Sequence, residues 1–138
     1  MSKIKLIGLL LPILLGVHLN AQAGEYSYQC VVINDAFIEE DGKIRIFSAS
    51  LNIGKRFSVD KKTGSLTGDI FFAAFPFTTP QIIAKGSKDS SFKVLWLSKA
   101  GGKDGAHSEL LVVQEAVKQS RKPFSHFMGT QLTTGLCD

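Results

Sequence analysis

Arg56-Phe57-Ser58-Val59-Asp60-Lys61-Lys62-Thr63-Gly64-Ser65-Leu66-Thr67-Gly68-Asp69-Ile70-Phe71-Phe72 reads as two strands and the turn between them. Phe57 and Val59 point to one side and Arg56, Ser58 and Asp60 to the other, the period-two alternation of a half-buried strand. Asp60 to Gly64 has the composition of a type I turn closed by a glycine at positive φ. Beyond the turn, Leu66, Gly68, Ile70 and Phe72 fall on one face. The segment predicts a β-hairpin.

The same alternation recurs on both sides of it. Tyr26, Tyr28, Cys30 and Val32 alternate with Ser27, Gln29 and Val31 in a first strand, and Asn34-Asp35 reads as a break. Asp41-Gly42 turns the chain into Lys43-Ile44-Arg45-Ile46, a strand that Asn52-Ile53-Gly54 ends. Gln81 to Lys85 is a short strand closed by Gly86-Ser87-Lys88-Asp89. Phe92, Val94 and Trp96 alternate with Lys93, Leu95 and Leu97, which is apolar on much of both faces. Ser108 to Val117 fits either a helix capped by Ser108 or a buried strand, and its strand neighbours favour the strand. Phe124 to Met128 and Thr130 to Cys137 form one long strand, or two with a bend at Gly129. Turn signals about every ten residues predict an all-β fold, an antiparallel meander closing into a small barrel or a flattened sandwich. Tyr26, Tyr28, Phe57, Phe72, Phe92 and Trp96, if all turned inward, would leave little cavity.

The N-terminus has the pattern of an export signal. Lys3 and Lys5 precede an apolar run from Leu6 to Val17, broken by Pro12, and Ala21-Gln22-Ala23 supplies an A-x-A cleavage site. The run is short of the roughly 20 apolar residues that a retained span needs. Residues 1–23 are therefore expected to be a signal peptide and 24–138 a single β domain, periplasmic or secreted. The chain has 16 basic and 12 acidic residues. Without Lys3 and Lys5 the balance is 14 to 12, which gives no support for a nucleic-acid binder. In an oxidising compartment Cys30 and Cys137 predict a disulfide between the first and last strands, and that favours a closed sheet.

Tyr28-x-Cys30, Phe57-x-Val59-Asp60-Lys61-x-Thr63-Gly64, Phe92-x-Val94, Lys122-Pro123-Phe124 and Gly135-x-Cys137 together make most of the chain resemble a group of small exported bacterial β-proteins of unassigned function. The resemblance implies export and pairing of the end cysteines, and no site residue.

No catalytic constellation emerges. Ser58-x-x-Lys61 and Lys62-Thr63-Gly64 match motifs of penicillin-recognising enzymes, but there the motifs converge from separate elements, whereas here they abut in one hairpin. The same S-x-x-K spacing recurs at Ser90 to Lys93. His107, in a glycine-rich turn, reads as solvated. His126 shares strand parity with Phe124 and Met128 and reads as a core or rim histidine held by a hydrogen bond. A triad or zinc site would need Asp104, Glu109 or Ser125 beside one of them, and no metal-ligand spacing arranges that. The sequence thus calls for no cofactor, no metal and no enzyme activity.

Two features point outward. Phe71, Phe75 and Phe77 crowd around Pro76, either as a lid over the core or as an apolar lip that contacts a ligand or partner. In a meander successive turns alternate ends, which gathers Lys61, Lys62, Lys88, Lys118, Arg121 and Lys122 at one end, either as a solvated rim or as an anion-binding one. The leading expectation is a monomeric barrel that binds a small hydrophobic or amphiphilic ligand in the cell envelope. The alternative is a secreted inhibitor or accessory protein with a filled core, acting through its surface on an envelope protein. Peripheral contact with envelope lipids is compatible with either.

Overall fold

The computed structural model describes residues 26–69, 78–98 and 107–138. Nine strands occupy them: β1 Ser27–Ile38, β2 Ile44–Ile46, β3 Arg56–Asp60, β4 Leu66–Gly68, β5 Gln81–Ser87, β6 Ser90–Ser98, β7 His107–Val113, β8 Lys122–Met128 and β9 Gln131–Cys137. All pair antiparallel in one curled sheet ordered β4-β3-β1-β9-β8-β7-β6-β5, with β2 also on β1. The sheet curls into a half-barrel with one open seam. Strands β1 and β9, the first and last, pair in its middle, and β4 and β5, consecutive in the chain, form its two edges.

The strand signals explain most of this. Asp60 Oδ1 accepts bonds from the Lys62 and Thr63 amides at 2.9 and 2.6 Å and from the Thr63 hydroxyl, which folds the predicted turn. Those bonds, the Thr63 amide first, hold the Asp60 carboxyl below its ordinary range. Gly64 has φ +77, and a Cβ there would lie 2.9 Å from Val94 Cγ1 and 3.2 Å from Pro80 Cβ. The hairpin therefore leans onto β6 across the open seam. Residues 107–113 are strand, paired on both sides, so the ambiguous segment follows its neighbours.

Two readings need correction. Asn34-Asp35 does not break β1. The strand runs on to Ile38, and a register shift against β9 between Val32 and Asn34 absorbs one extra residue. This bulge reverses the strand's parity, so the buried residues pass from Tyr28, Cys30 and Val32 to Asp35. Tyr26 lies outside the interior and is 74% exposed, because it precedes the first residue of the ladder.

Tyr28, Phe57, Phe92, Trp96 and Phe124 are each 4% exposed or less. Their rings meet across the curl: Tyr28 and Phe92 at 5.1 Å, Phe57 and Phe124 edge to face at 5.2 Å. Strands β1 and β6 are not neighbours, nor are β3 and β8, so these pairs span the interior. Cys30 and Cys137 are ladder partners and form the disulfide, buried in the same core.

Gly135 makes the Phe124 position available. A Cβ on it would stand 2.0 Å from the Val31 carbonyl oxygen and 2.6 Å from Phe124 Cε1. Backbone cannot yield as a side-chain tip does, so Gly135→Ala should destabilise the domain by at least the roughly 1–3 kcal/mol of ordinary overpacking. Urea unfolding measures this, and an unchanged midpoint would disprove the close approach.

Candidate functional site

The pairings place the turns of the 60s, the 80s and residues 114–121, together with the chain's last residue, at one end of the sheet. Lys61, Lys62, Lys88, Lys118, Arg121 and Lys122 are therefore at a common end. Two carboxylates stand among them. Lys61 Nζ is 3.7 Å from Glu115 Oε1 and 4.3 Å above the Tyr28 ring, and Arg121 Nε is 2.8 Å from Asp138 Oδ1. Lys122 Nζ donates to the Val117 carbonyl at 2.6 Å. Three of these six cations are thus engaged within the chain, and Lys62, Lys88 and Lys118 are exposed. Tyr28 donates its hydroxyl to Glu115. Burial first, then that bond and the carboxylate's charge, push the phenol far above its ordinary value. The cluster ties β1 to the β7–β8 turn.

Phe71, Phe75 and Phe77, the expected apolar lip or lid, lie outside the described residues. The Ser58 hydroxyl shares a 2.5 Å hydrogen bond with that of Thr67, its ladder partner on β4. His107 is the exposed first residue of β7 rather than part of a turn.

The sequence does not foretell a buried polar lane on the inner face. Glu109 on β7, His126 on β8, Thr133 on β9 and Asp35 on β1 cross four adjacent strands, each 2% exposed or less. His126 and Thr133 are ladder partners, as are Thr133 and Asp35. His126 Nε2 and Glu109 Oε2 share a hydrogen bond of 3.1 Å, and the Trp96 ring packs edge-on against the imidazole at 6.5 Å. Strand parity correctly puts His126 inside, and Glu109 is the partner it required.

Asp35 is the hub of the lane. Its carboxylate accepts bonds from Ser50 Oγ at 2.5 Å, Asn52 Nδ2 at 3.3 Å, Gln131 Nε2 at 2.9 and 3.0 Å, and Thr133 Oγ1 at 2.8 Å. Burial alone pushes the carboxyl up, but the four donors outweigh it and hold Asp35 below the ordinary carboxylate range. Ser50 and Asn52 belong to the loop between β2 and β3, so Asp35 stitches that loop onto the bulge of β1. Buried polar groups need partners, and these find them within the chain, in bonds that tie β1, β7, β8, β9 and the β2–β3 loop together. Among the described residues, no three His, Cys, Asp or Glu gather as a metal site.

On the outside, eight of the twelve large apolar side chains exposed among the described residues fall between positions 33 and 53. No protein-family model matches the chain, and neither the curated proteins nor the solved structures contain a match to it.

Proposed function

We propose that this chain is an exported accessory domain that acts through its outer surface, with its interior occupied by its own side chains. The supporting observation is the pair of aromatic contacts that spans the curl, Tyr28 with Phe92 and Phe57 with Phe124, among rings 3% exposed or less. A barrel of about eight strands has an interior just wide enough for side chains to fill or for one small ligand, and here large rings take that space. Export is supported by the leader-like residues 1–23 and by a disulfide, which persists in oxidising compartments such as the periplasm or the exterior.

The rival reading is a hydrophobic or amphiphilic ligand held in the barrel, with Phe71, Phe75 and Phe77 as its lip. Titration with a fluorescent fatty acid separates the two. The surface-acting domain gives no saturable signal. Saturable one-to-one binding, lost when Phe75 and Phe77 are both changed to Ser, would replace it with the ligand-binding barrel.

A further inference from the structure

Three turns and the last residue of the chain share one end of the sheet, and their charges are unbalanced. Lys85 stands on β5 just before the turn of the 80s and joins the six cations already placed there. Against these seven the described residues set four carboxylates, Asp60, Asp89, Glu115 and Asp138. Three of the four turn to donors of the chain itself. Asp60 takes the amides of its own turn, Glu115 the Tyr28 hydroxyl and Asp138 the Arg121 guanidinium. Lys62, Lys85, Lys88 and Lys118 are exposed, and every one of the three turns supplies at least one of them. The outward layer of this end is cationic.

The opposite end has the other sign. There the β1–β2 hairpin carries Glu39, Glu40 and Asp41 against Lys43 and Arg45, one negative charge net. Charge thus runs from positive to negative along the strands. Before an anionic surface the molecule orients with its lysine end forward.

A second observation narrows the kind of surface. Tyr26 is 74% exposed, more than any other Phe, Tyr or Trp side chain among the described residues. It stands at the lysine end, where the Lys61 amide donates to its carbonyl at 2.9 Å. A soluble polyanion asks only for positive charge. A bare tyrosine among lysines suits the boundary of a membrane, where the apolar body of the ring lies among the headgroups and its hydroxyl stays in water.

We infer that this end docks on a membrane surface of anionic phospholipid, with its lysines toward the headgroup phosphates and Tyr26 at the interface. The inference rests on the reading that the chain acts through its outer surface, and it names the partner of one end. Flotation of the exported, disulfide-bonded protein at low ionic strength tests it, with vesicles of mixed phosphatidylglycerol and phosphatidylcholine beside vesicles of phosphatidylcholine alone. The parent should float with the first and not with the second, and added salt should release it. One lysine near such a surface contributes about fivefold in partitioning, so Lys62→Gln, Lys88→Gln and Lys118→Gln together should weaken binding by about a hundredfold. All three are exposed turn positions, and an unchanged urea midpoint verifies that the triple variant folds. Tyr26→Ser should weaken flotation while leaving retention on a heparin column as in the parent.

A parent that does not float with anionic vesicles, or a folded triple variant that floats as the parent does, overturns the inference. So does retention on heparin without flotation, which would assign the end to a soluble polyanion. Flotation unchanged by Tyr26→Ser overturns the placement of the ring at the interface. The fatty-acid titration reads the interior and is independent of these results. A chain that binds neither vesicles nor fatty acid keeps its surface-acting role with a protein as partner.

Discussion

Asp35→Ala should cost about 3–5 kcal/mol and leave the loop between β2 and β3 detached from the sheet. Truncation removes the acceptor of Ser50, Asn52, Gln131 and Thr133 together. Buried donors without an acceptor cost about 1–3 kcal/mol each, and the sum is reduced where water reaches the loosened loop. Asp35→Asn keeps the shape but turns an amide's donors toward other donors, and should cost about 1–3 kcal/mol. Urea unfolding at neutral pH measures both. Because the four bonds depress the folded-state pKa, Asp35 contributes its full stabilisation above the unfolded aspartate value of about 3.9. The contribution fades as pH falls through the still lower folded value. The gap between parent and Asp35→Asn should therefore be constant near neutrality and narrow only below about pH 4. A gap already closing at pH 6 would mean that Asp35 is not held ionised by these donors.

The disulfide should have the next largest effect. Cys30 and Cys137 are 107 positions apart, so the bridge closes almost the whole described chain into one loop. A loop of that length constrains the unfolded ensemble by about 4–5 kcal/mol on the entropic account. Cys30→Ala with Cys137→Ala should lower Tm by roughly 10–25 °C. The strand order should persist, because the β1–β9 ladder continues from Val31 to Phe37 without the bridge. Equal melting temperatures with and without reductant would show that the β1–β9 closure does not depend on the bridge.

The fold was legible where side-chain period and turn chemistry agree. The hairpin around Asp60 and Gly64 announces itself because one residue supplies the acceptor and the other the positive φ. The strand at 107–113 could be chosen over a helix because the elements before and after it in the chain read as strands, and it pairs with both of them. Asn34-Asp35 misled because both residues are poor strand formers, and a bulge that changes parity cannot be seen in a pattern of period two. What keeps Asp35 in the strand is four donors, Ser50, Asn52, Gln131 and Thr133, at separations of 15 to 98 positions. Local sequence does not record such distances. The pairing of Glu109 with His126 is hidden for the same reason, since the ladder that brings β7 beside β8 sets it. The apolar corner at 33–53 was missed because alternation assigns half of each strand to the core. Ile44 and Ile46 alternate as core residues do, yet β2 is a three-residue strand that, among the described residues, pairs only with β1 and is covered by no second layer.

The central claim is that the interior is filled by the chain's own rings and that function resides on the outside. Mass spectrometry under non-denaturing conditions, on protein recovered from the periplasm or culture medium without detergent or added lipid, tests it most directly. The expected spectrum contains the chain beginning at Gly24, two hydrogens lighter for the disulfide, with no small molecule retained. One apolar molecule held per chain, released only on unfolding, would contradict the claim.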